Sequence, residues 1–547
     1  MSHRVLPRVD RADLVTGVRL LRALPAFLRH PVETDDARAA VRRRLERRQQ
    51  DFLDVAARLI YRNPASPYRP LLAHAGCEYG DLAQLVTRDG VEGALHALLR
   101  AGVYVTVEEF KGRRPLVRGS TALLFEPQRL ANPASVVHVV ARSGGSRSPG
   151  SPVPIDLAST RDHAVNRHLS LAARGGLGWR HAVWGVPGAS ELVIVLRFSV
   201  AGATPAHWFS QVDPATPHLH ARYRWSARAV RWGSLWTGRR LPAPSYVPVH
   251  APATILEWMA GVRRSGGTPH LKTFVSSAVG LSQAARTGGV DLAGVHLTVV
   301  GEPLTPARHA AIRAAGAAVA AEYGATETGQ VGEPCVAPDR VDDVHLLDDL
   351  QAVIQPGPGD GGALPAKALL LSSLRTTAPL VLLNVSIGDQ AELVRRQCGC
   401  PMERYGWATH LHTVRSFEKL TSEGMTVLDV DVIRLLEEAM PARFGGTAAD
   451  YQLVEDASPD GRSRLRLLVD PRVGAVDGAA ITDAFLDGVA AVSDAQRLMA
   501  LLWRQTGVLR VERRSPYPTP SGKVLHVHQV PSRPGPEALR VPGAVER

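Results

Sequence analysis

The stretch that most constrains this chain runs from Leu297 to Gly329. An apolar run, Leu297-Thr298-Val299-Val300, opens into GEPLTPARHAAIRAAGAAVAAEYGATETG. The pattern predicts a buried strand, an alanine-rich helix from Thr305 to Gly316 and a second strand from Ala318 to Tyr323. Thr305 supplies an N-cap hydroxyl and Pro306 the first helical position. Strand–helix–strand units with polar turns build an α/β sheet whose ligands sit at the carboxyl ends of the strands. The closing loop carries nucleotide-site chemistry. Tyr323 offers a ring for a base, Gly324 lets backbone approach closely, Thr326 offers a hydroxyl to phosphate, and Glu327 offers a hard oxygen to Mg²⁺. YGATE alone is equally an ordinary polar loop, so the other motifs decide.

At 547 residues the chain is too long for one ordinary core, so two or more domains are expected. No window approaches ~20 uninterrupted apolar residues, so no transmembrane helix is predicted. The N-terminus, MSHRVLPRVDRADL, lacks a secretory apolar region and points to the cytoplasm. The net charge is +12, yet only five residues are lysine: Lys111, Lys272, Lys367, Lys419 and Lys523. Such arginine excess can reflect composition bias or a surface for nucleic acid or an acidic carrier, but no nucleic-acid recognition motif accompanies it. The densest run, Arg42-Arg43-Arg44 to Arg47-Arg48, falls on a helical pattern and reads as a solvated face.

Residues 1–60 read as helices, with one strong helix from Asp36 to Ile60. Short strands are expected from Leu116 to Pro133. The β-rich run from Ser135 to Ala141 leads into ARSGGSRSPGSP, where Ser143, Gly144 and Ser146 supply the hydroxyls and backbone N–H groups that cradle phosphate. A surface linker is the other reading of this loop. Ser190 to Val200 reads as a strand, and Thr273 to Ala278 as a strand end. Trp208, Phe209, Tyr223, Trp225, Trp232 and Trp236 either line an acyl or aryl pocket or pack in a core. Past residue 415 the pattern is helix (Val430–Met440), strand (Tyr451–Glu455), strand (Ser463–Val469), helix (Ala479–Leu502), strand (Val508–Arg513), a compact α+β unit.

Of four cysteines, Cys77 stands alone and Cys335, Cys398 and Cys400 accompany His345. A Cys-x-Cys knuckle puts two thiolates on one side of a turn, and a distant Cys and His can complete a tetrahedral set. Inert buried thiols and a disulfide are the other readings, the latter disfavoured in a reducing compartment.

EYGATETG with GEPLTP upstream resembles the adenylate-forming superfamily of AMP-forming acyl- and aryl-CoA ligases. The similarity is nearest to the phenylacetate–CoA ligase and coenzyme F390 synthetase branch, whose "SPYYRRLL…AG" opening resembles Asn63 to Gly76. The resemblance implies a large adenylation domain over residues 61–414 of mixed sheets and helices. A small α+β C-terminal lid over 415–547 would follow it, with a helical segment over 1–60 ahead. It implies nucleotide contacts from Ser143, Gly144, Ser146, Gly301, Glu302, Pro303, Tyr323, Gly324 and Thr326. Asp389 would hold the ribose hydroxyls, and Arg415 would contact ribose and phosphate at the hinge. Lys523, in Pro518-Thr-Pro-Ser-Gly-Lys523, resembles the catalytic lysine, working with Glu327 and Thr326. Two departures stand out: Arg147 where a second glycine is usual, and Phe417-Glu418 where the hinge usually carries two aspartates. The resemblance also implies a structural zinc on Cys335, His345, Cys398 and Cys400.

The implied reaction is ATP- and Mg²⁺-dependent activation of a small carboxylic acid as acyl-AMP, then transfer to a thiol, with coenzyme A as default acceptor. A carrier protein or an amine is the alternative acceptor. A nucleotide-binding remnant without turnover is the rival from another class.

Overall fold

The computed structural model describes residues 11–142, 152–213, 234, 240–357, 360, 364–416, 421–422, 425–426, 432, 435–447, 450–457, 463–491, 494–517 and 527–529. Three sheets organise them. The first is a six-stranded, all-parallel sheet made of β1 (Arg180–Gly185), β2 (His207–Ser210), β3 (Pro244–Tyr246), β4 (Pro269–Phe274), β5 (His296–Val300) and β6 (Ala318–Ala321), in the order β6-β5-β4-β1-β2-β3. Parallel neighbours need crossovers. Helices α7 (Ala189–Val200), α8 (Val275–Thr287) and α9 (Pro306–Arg313) lie in three of them. In α9, Thr305 accepts from the Arg308 N–H at 3.3 Å and Pro306 opens the helix, as the sequence predicts.

The second sheet is seven-stranded: β7 (Tyr323–Ala325), β8 (Gly329–Pro334), β9 (Val344–Leu346), β10 (Gln351–Ile354), β11 (Ala368–Ser373), β12 (Val385–Arg395) and β13 (Thr409–Ser416). Its order is β7-β8-β9-β13-β12-β11-β10. Helix α4 (Tyr79–Arg100) and the segment Phe52–Ile60 pack on it through Val86, Leu95, Leu99, Phe52 and Leu59. The third sheet holds β14 (Tyr451–Ala457), β15 (Ser463–Val469), β16 (Leu509–Arg513) and β17 (Val527–Gln529), ordered β16-β15-β14-β17. It has its own core with α10 (Gly478–Ala490) and α11 (Asp494–Thr506), centred on Tyr451, Phe485 and Trp503. Leu498 and Leu502 of α11 turn away from that core and join the one around the parallel sheet. This is the mixed α/β architecture expected of the chain, with a small α+β unit at its C-terminal end.

Several local expectations are corrected. Ser190 to Val200 is not a strand but α7. A short apolar run does not distinguish a buried strand from a buried helix, and the parallel β1–β2 pairing demands a crossover there. The strand expected to reach Ala278 ends at Phe274, and Val275 begins α8. The strand from Ala318 to Tyr323 breaks at Glu322, because Tyr323 pairs antiparallel in the second sheet. The helix from Asp36 to Ile60 divides into α2 (Thr34–Glu46), α3 (Arg48–Val55) and a π-helical turn. The arginine run is not a uniformly solvated face. Arg44 is buried, pairing with Asp162 at 2.6 Å and Asp349 at 3.1 Å, and Arg48 pairs with Glu92. Those acids lie far along the chain, so helical periodicity could not show them. Among the described residues no helix is long and apolar enough to cross a membrane.

Candidate active site and candidate metal centre

The two large sheets meet where β6 hands over to β7, and Tyr323, Gly324 and Thr326 lie at that handover, with Asp389 bonded to Tyr323. Gly301 follows β5 with φ +85°, a left-handed conformation suited to glycine. Glu302 turns inward. Its carboxylate accepts from the Ser276 N–H at 3.0 Å and hydroxyl at 2.8 Å, and pairs with Arg308 at 3.4 Å. The Pro303 carbonyl accepts from the same guanidinium at 3.0 Å. Glu302 thus binds the GEP turn to the starts of α8 and α9, and shapes the turn that presents its backbone.

Glu322, the link between the sheets, is buried between Arg167 of helix α6 (Leu157–Ala173) and Lys272 of β4. Burial alone would raise its pKa, but these two cations outweigh it and hold the carboxyl well below the usual range. Glu333 of β8 lies 3.2 Å from Arg167, yet burial prevails there and pushes its pKa up. The sequence reading missed this network. Lys272 was its one visible trace, a charged residue in an apolar strand of a lysine-poor chain.

Above the network, Tyr323 is buried, and its hydroxyl donates to Asp389 Oδ2 at 3.0 Å. Burial, followed by the Asp389 charge, pushes the phenol well above its ordinary pKa, so it remains a donor. In this structure Tyr323 contributes its hydroxyl and packs its ring in the core, rather than presenting an open platform. Asp389 follows Gly388, whose φ is +95°, and stands opposite Ser416, while Gln390 stands opposite Arg415. Asp389 and Arg415 therefore share the β12–β13 ladder. Arg415 donates to Asp342 at 3.1 Å. At Gly324 a Cβ would fall 2.6 Å from the Gly329 carbonyl, so the turn from β7 to β8 needs glycine. That turn holds Thr326, half-buried, and Glu327, buried against Lys111 Nζ at 2.9 Å. Glu327 and Thr328 also line a narrow cleft with Asp162, His163 and Arg375.

Ser143, Gly144, Ser146, Arg147, Phe417, Glu418 and Lys523 lie outside the described residues, as do Tyr223, Trp225, Trp232 and Trp236. The strands Val139–Arg142 and Pro152–Ile155, on either side of the Gly/Ser loop, pair antiparallel. Trp208 and Phe209 are buried core residues of β2.

Cys335, His345, Cys398 and Cys400 converge, with one ligand atom from each within 4.8 Å of the others. Cys335 follows β8, His345 lies in β9, and the Cys-Gly-Cys turn joins β12 to β13, so the cluster clips the ends of four strands. Gly399 takes φ +70° in that turn. His345 Nε2 lies 3.1 Å from Cys400 Sγ and 3.7 Å from Cys398 Sγ. Ideal tetrahedral zinc would hold such N and S atoms about 3.6 Å apart. His345 Nδ1 donates to the Trp407 carbonyl at 2.7 Å, which selects the tautomer with a lone pair on Nε2. Arg396 Nη2 lies 3.7 Å from Cys335 Sγ. None of the four cysteines is in a disulfide. The donor set, its tautomer and its spacing fit a four-coordinate metal.

No protein-family model matches the chain, and no curated protein matches its sequence. Solved structures do. A 2-hydroxyisobutyryl-CoA ligase, in complex with 2-HIB-AMP and CoA in its thioesterification state, is similar at TM-score 0.54 and 15% identity, over 92% of this chain and 91% of that one. This chain has that ligase's fold. A mutant of the amide bond synthetase McbA from Marinactinospora thermotolerans, at 15% identity over 87% and 97% of the two chains, reaches 0.40. An AMP-forming acyl-CoA synthetase/AMP-acid ligase II-like protein from Dyadobacter fermentans, at 15% over 70% and 86%, reaches 0.28. Only the first likeness is strong enough to carry an architectural argument, and at such low identity it concerns the fold alone.

Proposed function

We propose that this protein is an AMP-forming ligase that activates a small carboxylic acid as its acyl-adenylate and then transfers the acyl group to a thiol, with coenzyme A as acceptor. The observation that supports this reading is the hydrogen bond from Tyr323, three and four residues before Thr326 and Glu327, to Asp389 at the junction of the two large sheets, in a chain with the fold of a CoA ligase. Asp389, whose Oδ2 accepts from Tyr323, would accept two hydrogen bonds from a ribose diol. Arg415, on the neighbouring strand β13, is assigned the contact to ribose and phosphate from its sequence context, and Thr326 would offer a hydroxyl to phosphate. Glu327 is the carboxylate that would hold Mg²⁺ arriving with ATP, which would neutralise charge on the phosphate oxygens. Lys523 is assigned the catalytic ammonium from its sequence context, and Ser143, Gly144 and Ser146 the phosphate loop. The acid's carboxylate attacks the α-phosphorus, an O–P bond forms, and pyrophosphate leaves with the electrons of the broken bond. The C-terminal unit, residues 415–547, acts as a lid that turns about Arg415 to admit the acceptor and exclude water.

The Cys335–His345–Cys398–Cys400 cluster is read as a structural zinc site, since four protein ligands leave no open position. With the Asn63–Gly76 opening it supports placement in the phenylacetate–CoA ligase-like branch.

The test is pyrophosphate release from ATP across aryl, fatty and amino acids, for wild type beside Lys523→Ala and Asp389→Asn, with and without coenzyme A. Release that needs one acid class and is lost in both variants is expected. Product analysis then separates coenzyme A from carrier or amine acceptors. ATP binding without pyrophosphate release for any acid would overturn the ligase reading in favour of a non-catalytic module.

A further inference from the structure

We propose that Gln330 is a positioning residue for nucleotide choice: its buried amide fixes Tyr323, and Tyr323 in turn aims Asp389 at the ribose, so that Gln330 sets the preference for ATP over 2′-deoxy-ATP. The inference rests on the reading of Asp389 as the ribose carboxylate.

Gln330 lies in β8, 4% exposed, where the ladder to β7 slips. Tyr323 stands opposite Gly332, and the next residue, Gly324, stands opposite Gln330 itself. Such a slip bends a strand and re-aims its side chains. The Gln330 amide spans it. Its Nε2 donates to the Tyr323 carbonyl at 3.1 Å and to the Gly332 carbonyl at 2.7 Å, one on each of the two facing strands. Its Oε1 accepts from Arg167 Nη2 of α6 and from Arg197 Nη1 of α7, each at 3.4 Å. Both arginines are buried. Tyr323 thus has its backbone held at one end and its hydroxyl 3.0 Å from Asp389 Oδ2 at the other. The Asp389 backbone is fixed separately. The approach to β12 is tied to Val105, just ahead of α5 (Val107–Phe110). There the Val105 N–H donates to the Asn384 carbonyl, and the Ser386 N–H to the Val105 carbonyl, each at 2.9 Å. What Tyr323 sets is therefore the turn of the carboxylate, not the path of the strand.

The residue type matters. An amide carries an acceptor at one side and two donors at the other. That division matches two guanidiniums on one side and two carbonyls on the other. A glutamate here would set oxygen against the carbonyls, a lysine or arginine would face two like charges, and a methionine would bond none of the four. The two guanidiniums on Oε1 also decide which way round the amide sits, and bonds from charged donors are the stronger kind. The orientation of Tyr323 is thereby referred to helices α6 and α7 of the parallel-sheet side, across the junction from Asp389.

The test titrates ATP and 2′-deoxy-ATP, each with Mg²⁺, into the full-length protein by calorimetry, with circular dichroism to establish folding. Wild type is expected to bind ATP about tenfold or more tightly, the scale of one hydrogen bond to a carboxylate. Gln330→Met removes all four bonds, whereas Gln330→Glu keeps those from the arginines and loses those to the carbonyls. Each should lower the ATP preference roughly threefold or more. Adding either to Tyr323→Phe should lower it no further than Tyr323→Phe does alone, since the groups act in series. A purely structural amide predicts lower stability with an unchanged preference. Wild-type preference in a folded Gln330 variant therefore overturns the inference, as does a full additional loss in the double variant. Equal binding of the two nucleotides by wild type, or none, removes the ribose assignment and this inference together. If wild type releases no pyrophosphate with any acid while the variants shift the preference as stated, the ligase reading fails and the Gln330 inference stands. If pyrophosphate is released and the preference does not move, the ligase reading stands and the Gln330 inference fails.

Discussion

Replacing Glu191 by glutamine should stabilise this protein at neutral and alkaline pH. Glu191 lies in the first turn of α7, buried at the carboxyl end of β1. Its Oε1 sits 2.2 Å from where a Cβ on Gly185 would be, so the carboxyl is lodged against the strand end, and among the described residues its Oε2 has no hydrogen-bond partner. Burial raises its pKa from 4.5 to about 7, against the smaller opposing effect of Lys272. The folded state therefore binds more protons than the unfolded one, and stability falls as pH rises from 4.5 to about 7, then levels off. At 1.36 kcal/mol per pH unit that interval amounts to about 3 kcal/mol. Glu191→Gln keeps the shape and removes the titration. Urea unfolding of both proteins at several pH values should show curves that nearly coincide below pH 4.5 and separate by about 3 kcal/mol above pH 7, the variant being more stable. A separation that does not change with pH would refute the reasoning, because it would mean that Glu191 titrates alike in both states.

Tyr323→Phe removes the hydrogen bond to Asp389 and little else. It should lower the free energy of unfolding in urea by about 1.5–3 kcal/mol, the worth of a hydrogen bond to a charged group, and raise KM for ATP because Asp389 loses the donor that orients it. Lys272→Met strips a cation from buried Glu322 and should cost about 3–5 kcal/mol in urea unfolding; a loss under 1 kcal/mol would show that Arg167 alone satisfies that carboxylate. Purified protein should carry one zinc per chain by plasma mass spectrometry. Cys398→Ser and Cys400→Ser should each lose it and unfold at lower urea, whereas Cys77→Ser should retain it. Zinc retained in both knuckle variants would remove the metal assignment.

The sequence alone determined the strand–helix–strand unit around residues 297–321, because its signals are local. Apolar runs of strand length, Thr305 as N-cap and Pro306 behind it act within a few residues. The same holds for β15, whose observed limits match the predicted ones, and for the spacing that drew attention to Cys335, His345, Cys398 and Cys400. Signals that depend on distant partners were misread or silent. Ser190 to Val200 is mostly apolar and mostly buried, Glu191 and Arg197 included, and composition does not reveal whether such a run is strand or helix. Arg44 looked solvated because its acids, Asp162 and Asp349, come from other elements. The junction at Glu322, where one sheet hands over to another, has no local signature. Neither do the buried pairs Lys272–Glu322 and Lys111–Glu327, whose members are separated by 50 and 216 residues. Local free energy, in caps, turns and periodic burial, is written in short words that can be read one at a time. Which charges share a low-dielectric interior, and hence which carboxylates stay ionised, is decided only when the chain closes on itself.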